Sequence, residues 1–342
     1  MNLKKLSQML NLSQTTVSRA LNGFPEVKEK TRIRVLAAAA QHNYRPSRLA
    51  KSLATGRAMS IGHVLPTSKQ EMVNPIFTDF IAGAGEVYAK SGYHMSLTVV
   101  TDDNEEAAYR EMASKRSVDG VIVHGPRVPD SRIELLQDIG LPFVVHGRAQ
   151  DTKNDYSWFD VNNRSAFKNA TKFLIDFGHK HIALLNGREI MDFASRRRQG
   201  YEDALTSAGL VIDPNIMRND DMTEPYGYTS TMQMMNTPTP PTAFLVSSII
   251  PALGVRRALL DLGIQPGKQV SIITHDDVLS FLKMGGDVPL FTATKSSVRE
   301  AGKACAEMLL TQINNPEHKI CHELWEAELV IGTSTGPAPT SD

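Results

Sequence analysis

The chain is poor in cysteine: only Cys305 and Cys321 occur among 342 residues. Neither stands in a C-x-x-C spacing, which excludes a disulfide scaffold or a zinc ribbon, and we expect both thiols to be reduced and structural. No apolar run approaches the ~18 residues of a membrane span. The N-terminus is polar from Asn2 onward, unlike a secretion signal. We therefore expect a cytoplasmic chain with no membrane partner, cofactor or metal.

The chain also lacks net charge, with 37 basic and 37 acidic residues, but the two signs are unevenly distributed. Residues 1–57 hold eleven Lys and Arg against two acids, Glu26 and Glu29, so this segment carries +9. The remaining 285 residues carry −9. A basic head on an acidic body is typical of a protein in which one domain meets a polyanion.

Elements of common enzyme classes are missing as well. No G-x-x-x-x-G-K-[ST] phosphate loop is present, which argues against a kinase. Cys305 lies on a predicted helix far from any clear histidine partner, which argues against a cysteine hydrolase. A carbohydrate-active enzyme with a DNA-binding head remains an alternative, as does a nucleoid-type binder without a ligand. Neither is our leading interpretation: we expect no enzymatic activity.

The stretch SQTTVSRALNG, residues 13–23, predicts a short helix that has little apolar surface to bury. Ser13 can cap its start and Gly23 can end it in a left-handed conformation. Its outward side chains, Gln14, Thr15 and Arg19, offer amide, hydroxyl and guanidinium groups. Such groups match the donor and acceptor pattern of base edges in the major groove. We predict that these three side chains read DNA sequence.

Two further helices complete a helix-turn-helix. The first is capped by Asn2, and the third covers about residues 28–42. We predict that the third helix buries an inner stripe of Ile33, Leu36, Ala37 and Ala40. Phosphate contacts position such a domain without reading sequence. The residues predicted to make them are Lys4, Lys5, Ser13, Thr16 and Arg32.

The quoted stretch, followed by T-R-x-R-V-L-x-A-A and N-Y-R-P-S-R-L-A-K-S-L, resembles the N-terminal domain of the LacI/GalR family of bacterial transcription regulators. The resemblance is strong over residues 3–56 and continues more loosely down the chain. It implies that the segment 47–54 forms a hinge helix only on operator DNA, with Leu53 wedged between central base pairs. A helix of about eight residues is too short to persist alone in water. The predicted minor-groove residues are Ser47, Arg48, Ala50, Lys51 and Leu53.

After residue 57, short apolar runs alternate with amphipathic helices, which predicts parallel sheets covered by helices. Two sets of strands predict two subdomains, and the resemblance implies a periplasmic-binding-protein-like core of two doubly wound parallel sheets with crossovers near 160 and 290. The tail is predicted to close with one strand over 324–331. We expect three segments: a DNA-binding domain over 1–46, a hinge over 47–57, and an effector-binding and dimerisation domain over 58–342.

A ligand is expected in the cleft between the halves, at the carboxyl ends of the strands. F-A-S-R-R-R-Q-G-Y and T-H-D-D match family elements, which implies that Arg197 and Asp276 bond effector oxygens. Asn74-Pro75-Ile76-Phe77 matches a turn whose aromatic, here Phe77, stacks on the ligand. The remaining candidates are Ser248, His146 and Asp160. A solvated helix face for Arg197, a helix cap for Asp276 and a core position for Phe77 are the alternatives.

The sequence therefore predicts a DNA-binding repressor of carbohydrate uptake or catabolism genes, released from its operator by a small sugar. Segments such as P-F-V-V-H-G-R are most similar to regulators of sugar uptake, including that of α-glucosides. No leucine-heptad extension follows the last predicted strand, so we expect a homodimer with two-fold symmetry. A corepressor-dependent repressor of the same family is the alternative.

Overall fold

The computed structural model describes residues 1–21, 23–44, 56–66, 75–101, 104–150, 156–283, 285–315, 317 and 319–339. It divides into two compact units: an N-terminal unit built on Met1–Met59 and a body built on Ser60–Lys115 and Asp119–Asp342. Within these ranges no helix is long and apolar enough to span a membrane. The two units are described separately.

The N-terminal unit holds three helices: α1 (Leu3–Leu10), α2 (Gln14–Leu21) and α3 (Glu29–Gln41). The predicted caps of the first two are confirmed. Asn2 Oδ1 accepts the backbone N–H of Lys5 at 2.9 Å, and Ser13 Oγ accepts that of Thr16 at 3.0 Å. Each bond satisfies one of the N–H groups that a helix start leaves unpaired.

The buried face of α3 differs from the prediction. Ile33, Leu36, Ala37 and Ala40 are exposed, and the helix instead buries Val35 and Ala39. Because α3 is apolar almost all round from Ile33 to Ala40, its periodicity cannot choose between the two faces. The other buried members of this small core are Leu6, Leu10, Val17, Ala20 and Val27.

The first sheet of the body has six parallel strands in the order β11-β5-β4-β3-β1-β2. They are β1 (Ser60–Pro66), β2 (His94–Val100), β3 (Gly120–His124), β4 (Phe143–His146), β5 (Trp158–Val161) and β11 (His322–Trp325). Its helices are α4 (Pro75–Lys90), α5 (Glu105–Lys115), α6 (Ser131–Asp138) and α11 (Val298–Asn314).

The second sheet has the order β12-β10-β9-β8-β6-β7, with only β12 antiparallel to its neighbour. The strands are β6 (Ile182–Asn186), β7 (Met217–Asn219), β8 (Ala243–Val246), β9 (Ser271–Asp276), β10 (Thr292–Lys295) and β12 (Glu328–Val330). Its helices are α7 (Asn163–Asp176), α8 (Asp192–Ser207), α9 (Glu224–Met235) and α10 (Ile249–Asp261). Two doubly wound sheets confirm the predicted fold class.

The chain passes between the sheets three times: after β5, after β10 and between β11 and β12. The single tail strand predicted over 324–331 is therefore wrong. Glu326 and Ala327 interrupt it, and its two halves belong to different sheets. An extended apolar pattern predicts strand conformation but does not reveal that the pairing partner changes midway.

Candidate functional site

In the N-terminal unit, the three predicted base-reading residues lie together on the exposed face of α2. Gln14, Thr15 and Arg19 are exposed, whereas Val17 and Ala20 are buried against the other helices. Arg19 reaches a surface acid, Glu26, at 3.5 Å. An exposed ion pair of this kind contributes little to stability, so the guanidinium can exchange it for a nucleic-acid partner at small cost.

The five predicted phosphate contacts divide into two groups. Lys4 and Lys5 are exposed on α1. Ser13 and Thr16 bond each other through their hydroxyls at 2.8 Å. Arg32 is half-buried and donates to the carbonyl oxygens of Phe24 at 2.9 Å and Val27 at 3.4 Å.

Arg32 and the hydroxyl pair therefore have structural partners, and the two lysines are the better candidates for phosphate. The predicted hinge residues Ser47, Arg48, Ala50, Lys51 and Leu53 lie outside the described residues.

In the body, a cavity of about 200 Å³ lies at the carboxyl ends of strands from both sheets. Elements of the first sheet contribute Phe77, Phe80, His124, His146 and Asp160, and elements of the second contribute Phe193, Arg197, His275 and Asp277. Of the predicted effector residues, Arg197, Phe77, His146 and Asp160 line the cavity. Phe77 lies edge-on to the ring of His124, with 5.1 Å between the ring centroids.

Arg197 on α8 is held rigidly at the cavity. Its Nε donates to Asn163 Oδ1 at 2.7 Å, and its Nη1 donates to the carbonyl and to the hydroxyl (2.9 Å) of Ser247. Its guanidinium packs over the rings of Phe193 and Phe167, 4.9 and 5.1 Å from their centroids.

These contacts leave Nη2 of Arg197 without a hydrogen-bond partner among the described residues. Burial lowers the pKa of Arg197 to about 10, so the side chain stays charged at neutral pH. The solvated-face alternative does not describe this residue, since it is only 6% exposed.

The acidic partner in the cavity is Asp277, although the sequence motif pointed to Asp276. Asp276 Oδ1 caps the turn by accepting the N–H of Val278 at 2.9 Å, and Asp276 does not line the cavity. The Asp277 side chain is largely buried and lines it. Burial raises the pKa of Asp277 to about 7 against the opposing effect of Arg197. In T-H-D-D the two acids are adjacent, so only the direction in which each side chain leaves β9 distinguishes them.

Ser248 does not line the cavity either. It is fully buried, and its hydroxyl caps α10 by accepting the N–H of Ile250 at 3.5 Å. Its neighbour Ser247 orients Arg197 instead. Asp160 accepts from Arg148 at 2.7 Å and from Asn163 at 3.3 Å, so Asn163 joins Asp160 to Arg197. Burial raises the pKa of Asp160 to about 6.

Sequence reasoning missed the contact between His63, which is fully buried, and His124, which lines the cavity. His63 Nδ1 lies 2.9 Å from His124 Nε2, and His63 Nε2 lies 3.2 Å from the hydroxyl of Tyr88. His124 lines the cavity beside His146. His124 ends the run G-V-I-V-H, just as His146 ends F-V-V-H. This shared position after a buried run was the sequence signal that could have identified His124.

Contacts between elements of the two sheets close over the cavity on two sides. The carboxylate of Asp79 on α4 accepts the N–H and the hydroxyl of Ser280, both at 2.8 Å. On the other side the N–H of Asp192 donates to Pro126 O at 2.9 Å, and Val128 donates to Ile190 O at 3.1 Å. Hydrogen bonds therefore link the two halves of the body around the cavity in this structure.

One segment matches the G-x-S-x-G pattern of a hydrolase nucleophile elbow: Gly332–Gly336 reads G-T-S-T-G. Its serine is structural: the Ser334 hydroxyl is buried, donates to Ile272 O at 2.6 Å and accepts the N–H of Thr292 at 2.9 Å. His179 is structural too, since its ring nitrogens bond Thr242, Ser271 and Gly336. No group of metal-ligating side chains is found among the described residues.

Comparison with known protein families assigns both units. Residues 9–47 match the bacterial regulatory proteins of the lacI family, and residues 171–335 match the periplasmic binding protein-like domain.

Individual relatives match nearly the whole chain. The HTH-type transcriptional regulator AglR of Rhizobium meliloti (strain 1021) is 45% identical over 339 residues, covering 99% of this chain and 95% of its own. The HTH-type transcriptional regulator RafR of Escherichia coli is 33% identical, with 95% and 96% covered. Among solved structures, the lac repressor dimer bound to operator and the anti-inducer ONPF matches with a TM-score of 0.83 at 25% identity, over 98% of this chain and 99% of that one.

Proposed function

Because the chain belongs to the lacI family of bacterial regulatory proteins, we propose that it is a repressor of carbohydrate uptake or catabolism genes that a small sugar releases from its operator. It is a DNA-binding transcription regulator. It acts as a homodimer in the cytoplasm and catalyses no reaction. Residues 1–46, 47–57 and 58–342 serve as its DNA-binding, hinge and effector-binding segments, and α-glucosides are the first sugars to test.

One observation carries the effector half of the proposal. Arg197 and Asp277 line one cavity, and each keeps polar atoms that no described side chain occupies. Buried polar atoms without hydrogen-bond partners are costly, so a ligand that bonds the free atoms of both side chains gains strongly from charge-assisted hydrogen bonds. A sugar supplies hydroxyls that donate to the carboxylate and accept from the guanidinium.

The effector site is tested by measuring operator affinity with and without saturating sugar, for the full-length protein. We expect Asp277→Asn and Arg197→Lys to bind operator like the wild type but to reduce the sugar response at least about tenfold. The first replaces the carboxylate by a neutral amide, and the second replaces the fixed fork of guanidinium donors by a single ammonium group. Asp276→Asn and Arg198→Ala are the matched controls: Asp276 faces the turn, and Arg198 pairs with surface acids. A normal sugar response in both cavity variants would refute the site.

The DNA-binding face is tested by separating sequence reading from charge. Arg19→Ala is expected to cost roughly 1–3 kcal/mol of operator binding and to relax preference at one base pair in each half-site. Lys5→Ala is expected to weaken all sequences alike and to flatten the salt dependence, because it removes a phosphate contact. Titrations of operator and scrambled DNA at several salt concentrations distinguish the two, and an unchanged footprint in Arg19→Ala would remove this residue from the set.

A further inference from the structure

We propose that His124 and His146 are effector-contact residues and that the effector is an uncharged, polyhydroxylated sugar ring, not a phosphorylated or acidic sugar. This inference rests on the proposed function, because it concerns the ligand of the same cavity. It adds the charge class of that ligand and the groups that select it.

The two imidazoles lie side by side at one edge of the cavity. His124 and His146 end the neighbouring strands β3 and β4 and are paired in register, with ring centroids 6.1 Å apart. Both line the cavity. Phe80 packs against both rings, with centroid distances of 4.8 Å to His124 and 4.4 Å to His146. The aromatic packing fixes both imidazoles at the cavity wall.

Each imidazole keeps hydrogen-bonding capacity for a ligand. His124 uses Nε2 toward His63, which leaves Nδ1 without a partner among the described residues. No hydrogen bond from either ring nitrogen of His146 is found in that part of the chain. The third cavity histidine, His275, differs, because both of its nitrogens are occupied by Thr294 and Ser296 at 3.0 Å.

The imidazoles are neutral at physiological pH. Burial lowers the pKa of His146 to about 4, and burial, with smaller effects of His63, His146 and Arg132, lowers that of His124 well below its ordinary value. A neutral imidazole has one donor and one acceptor nitrogen. A hydroxyl group likewise donates and accepts, so the pair suits neighbouring hydroxyls of a sugar.

The charged side chains that line the cavity do not favour the binding of an anionic ligand. Among the described residues that line it, the charged ones are Asp160, Arg197 and Asp277. Arg148 neutralises Asp160 at 2.7 Å, which leaves one guanidinium and one carboxyl group facing the ligand. A phosphate buried here would meet a single cation, already balanced by a nearby acid, and two neutral rings. Burying a charge without sufficient partners is strongly unfavourable.

His63 is a positioning residue in this arrangement. It is fully buried and lies between His124 and the hydroxyl of Tyr88, within hydrogen-bond distance of both. The tautomer of His63 therefore fixes whether His124 presents a donor or an acceptor to the cavity.

The test is calorimetric titration of the full-length protein with neutral mono- and disaccharides, including α-glucosides, and with the 6-phosphate and uronic acid of each sugar that binds. We expect the charged forms to bind at least about thirtyfold more weakly, because nothing compensates their charge. His146→Phe keeps the ring packing and is expected to lower affinity for the neutral sugar about tenfold, the value of one or two lost hydrogen bonds.

A pair of substitutions at His124 separates contact from packing. An asparagine at this position would place its amide near the position of His124 Nδ1, and a glutamine would place its amide near that of His124 Nε2. We expect His124→Asn to retain affinity within about threefold and His124→Gln to lose about tenfold, since only the first keeps a group toward the ligand. His181→Gln, a histidine of the body that does not line the cavity, serves as the control.

The outcomes separate the two proposals. Equal or tighter binding of the phosphorylated or acidic form overturns this inference and leaves the sugar-responsive regulator intact. So does wild-type affinity in both His146→Phe and His124→Gln. Failure of every sugar, neutral or charged, to bind overturns the proposed effector class itself.

Discussion

At the scale of single residues, Asp277 shows that a side chain suited to ligand binding can lower the stability of the sugar-free protein. Its carboxyl group is buried near Arg197 but not bonded to it, and burial raises its pKa to about 7. A carboxyl whose pKa is higher in the folded than in the unfolded chain holds its proton more tightly when folded. Ionising it therefore costs the folded state free energy, and the free energy of unfolding falls as pH rises from about 4 through about 7.

Asp277→Asn is accordingly expected to stabilise the sugar-free protein at pH 8 by about 1–4 kcal/mol and to have little effect at pH 4. Urea unfolding at both pH values measures the difference between variant and wild type. Asp160, whose pKa is also raised, contributes equally to both proteins and cancels. Asp276→Asn is the control, and an equal gain from it, or a loss of stability in Asp277→Asn at pH 8, would contradict the assignment.

The sequence motifs predicted which loops form the cavity, but not always which side chain of a loop faces it. Arg197, Phe77, His146 and Asp160 were predicted as effector residues and line the cavity. Asp276 and Ser248 belong to the right loops, but each points away from the cavity and caps a turn or helix. The unpredicted His63–His124 contact joins residues 61 positions apart, and a single sequence carries no signal of such a pairing.

At the scale of elements, helix pairs on both sheets pack through reciprocal glycines. On the first sheet a Cβ at Gly83 would overlap Arg299 O, and one at Gly302 would overlap Phe80 O. On the second, Gly254 meets the backbone of Glu224 and Gly227 meets that of Pro251. The glycines let α4 approach α11, and α9 approach α10, more closely than any side chain would permit.

Gly254→Ala is therefore expected to lower the free energy of unfolding by about 1–3 kcal/mol, since the overlapping atoms are backbone and cannot rotate away. Gly286→Ala is the control, because its Cβ would enter open space. Thermal unfolding of both variants without ligand provides the measurement. Equal effects of the two substitutions would show that close packing at Gly254 is not what the glycine supplies.

The sequence predicted the type of an element where the hydrophobic pattern was clear. It did not predict which other element that element pairs with. The short apolar runs at 60–65, 120–124, 143–146 and 243–246 are strands of the parallel sheets. The tail-strand prediction was wrong because the two halves of the segment pair with different sheets. The predicted buried face of α3 was wrong because the helix is apolar almost all round from Ile33 to Ala40. Both errors concern tertiary partners, which periodicity does not specify.

At the scale of the whole molecule, the proposed function requires that sugar and operator oppose each other. The contacts of Asp79 with Ser280 and of Pro126 with Asp192 link the two halves of the body around the cavity. A sugar that bonds His124 and His146 on one half and Arg197 on the other favours one arrangement of those halves. If that arrangement is unfavourable for operator binding, the two ligands share one coupling free energy.

Linkage makes this coupling reciprocal: the factor by which sugar weakens operator binding must equal the factor by which operator weakens sugar binding. We expect a factor of roughly 5–150, the usual range for such coupling. Operator titrations with and without saturating sugar give one factor, and sugar titrations with and without saturating operator give the other, at one salt concentration because DNA affinity is salt-dependent. Tighter operator binding in the presence of sugar would identify a corepressor, and a factor of one in both directions would contradict sugar control altogether.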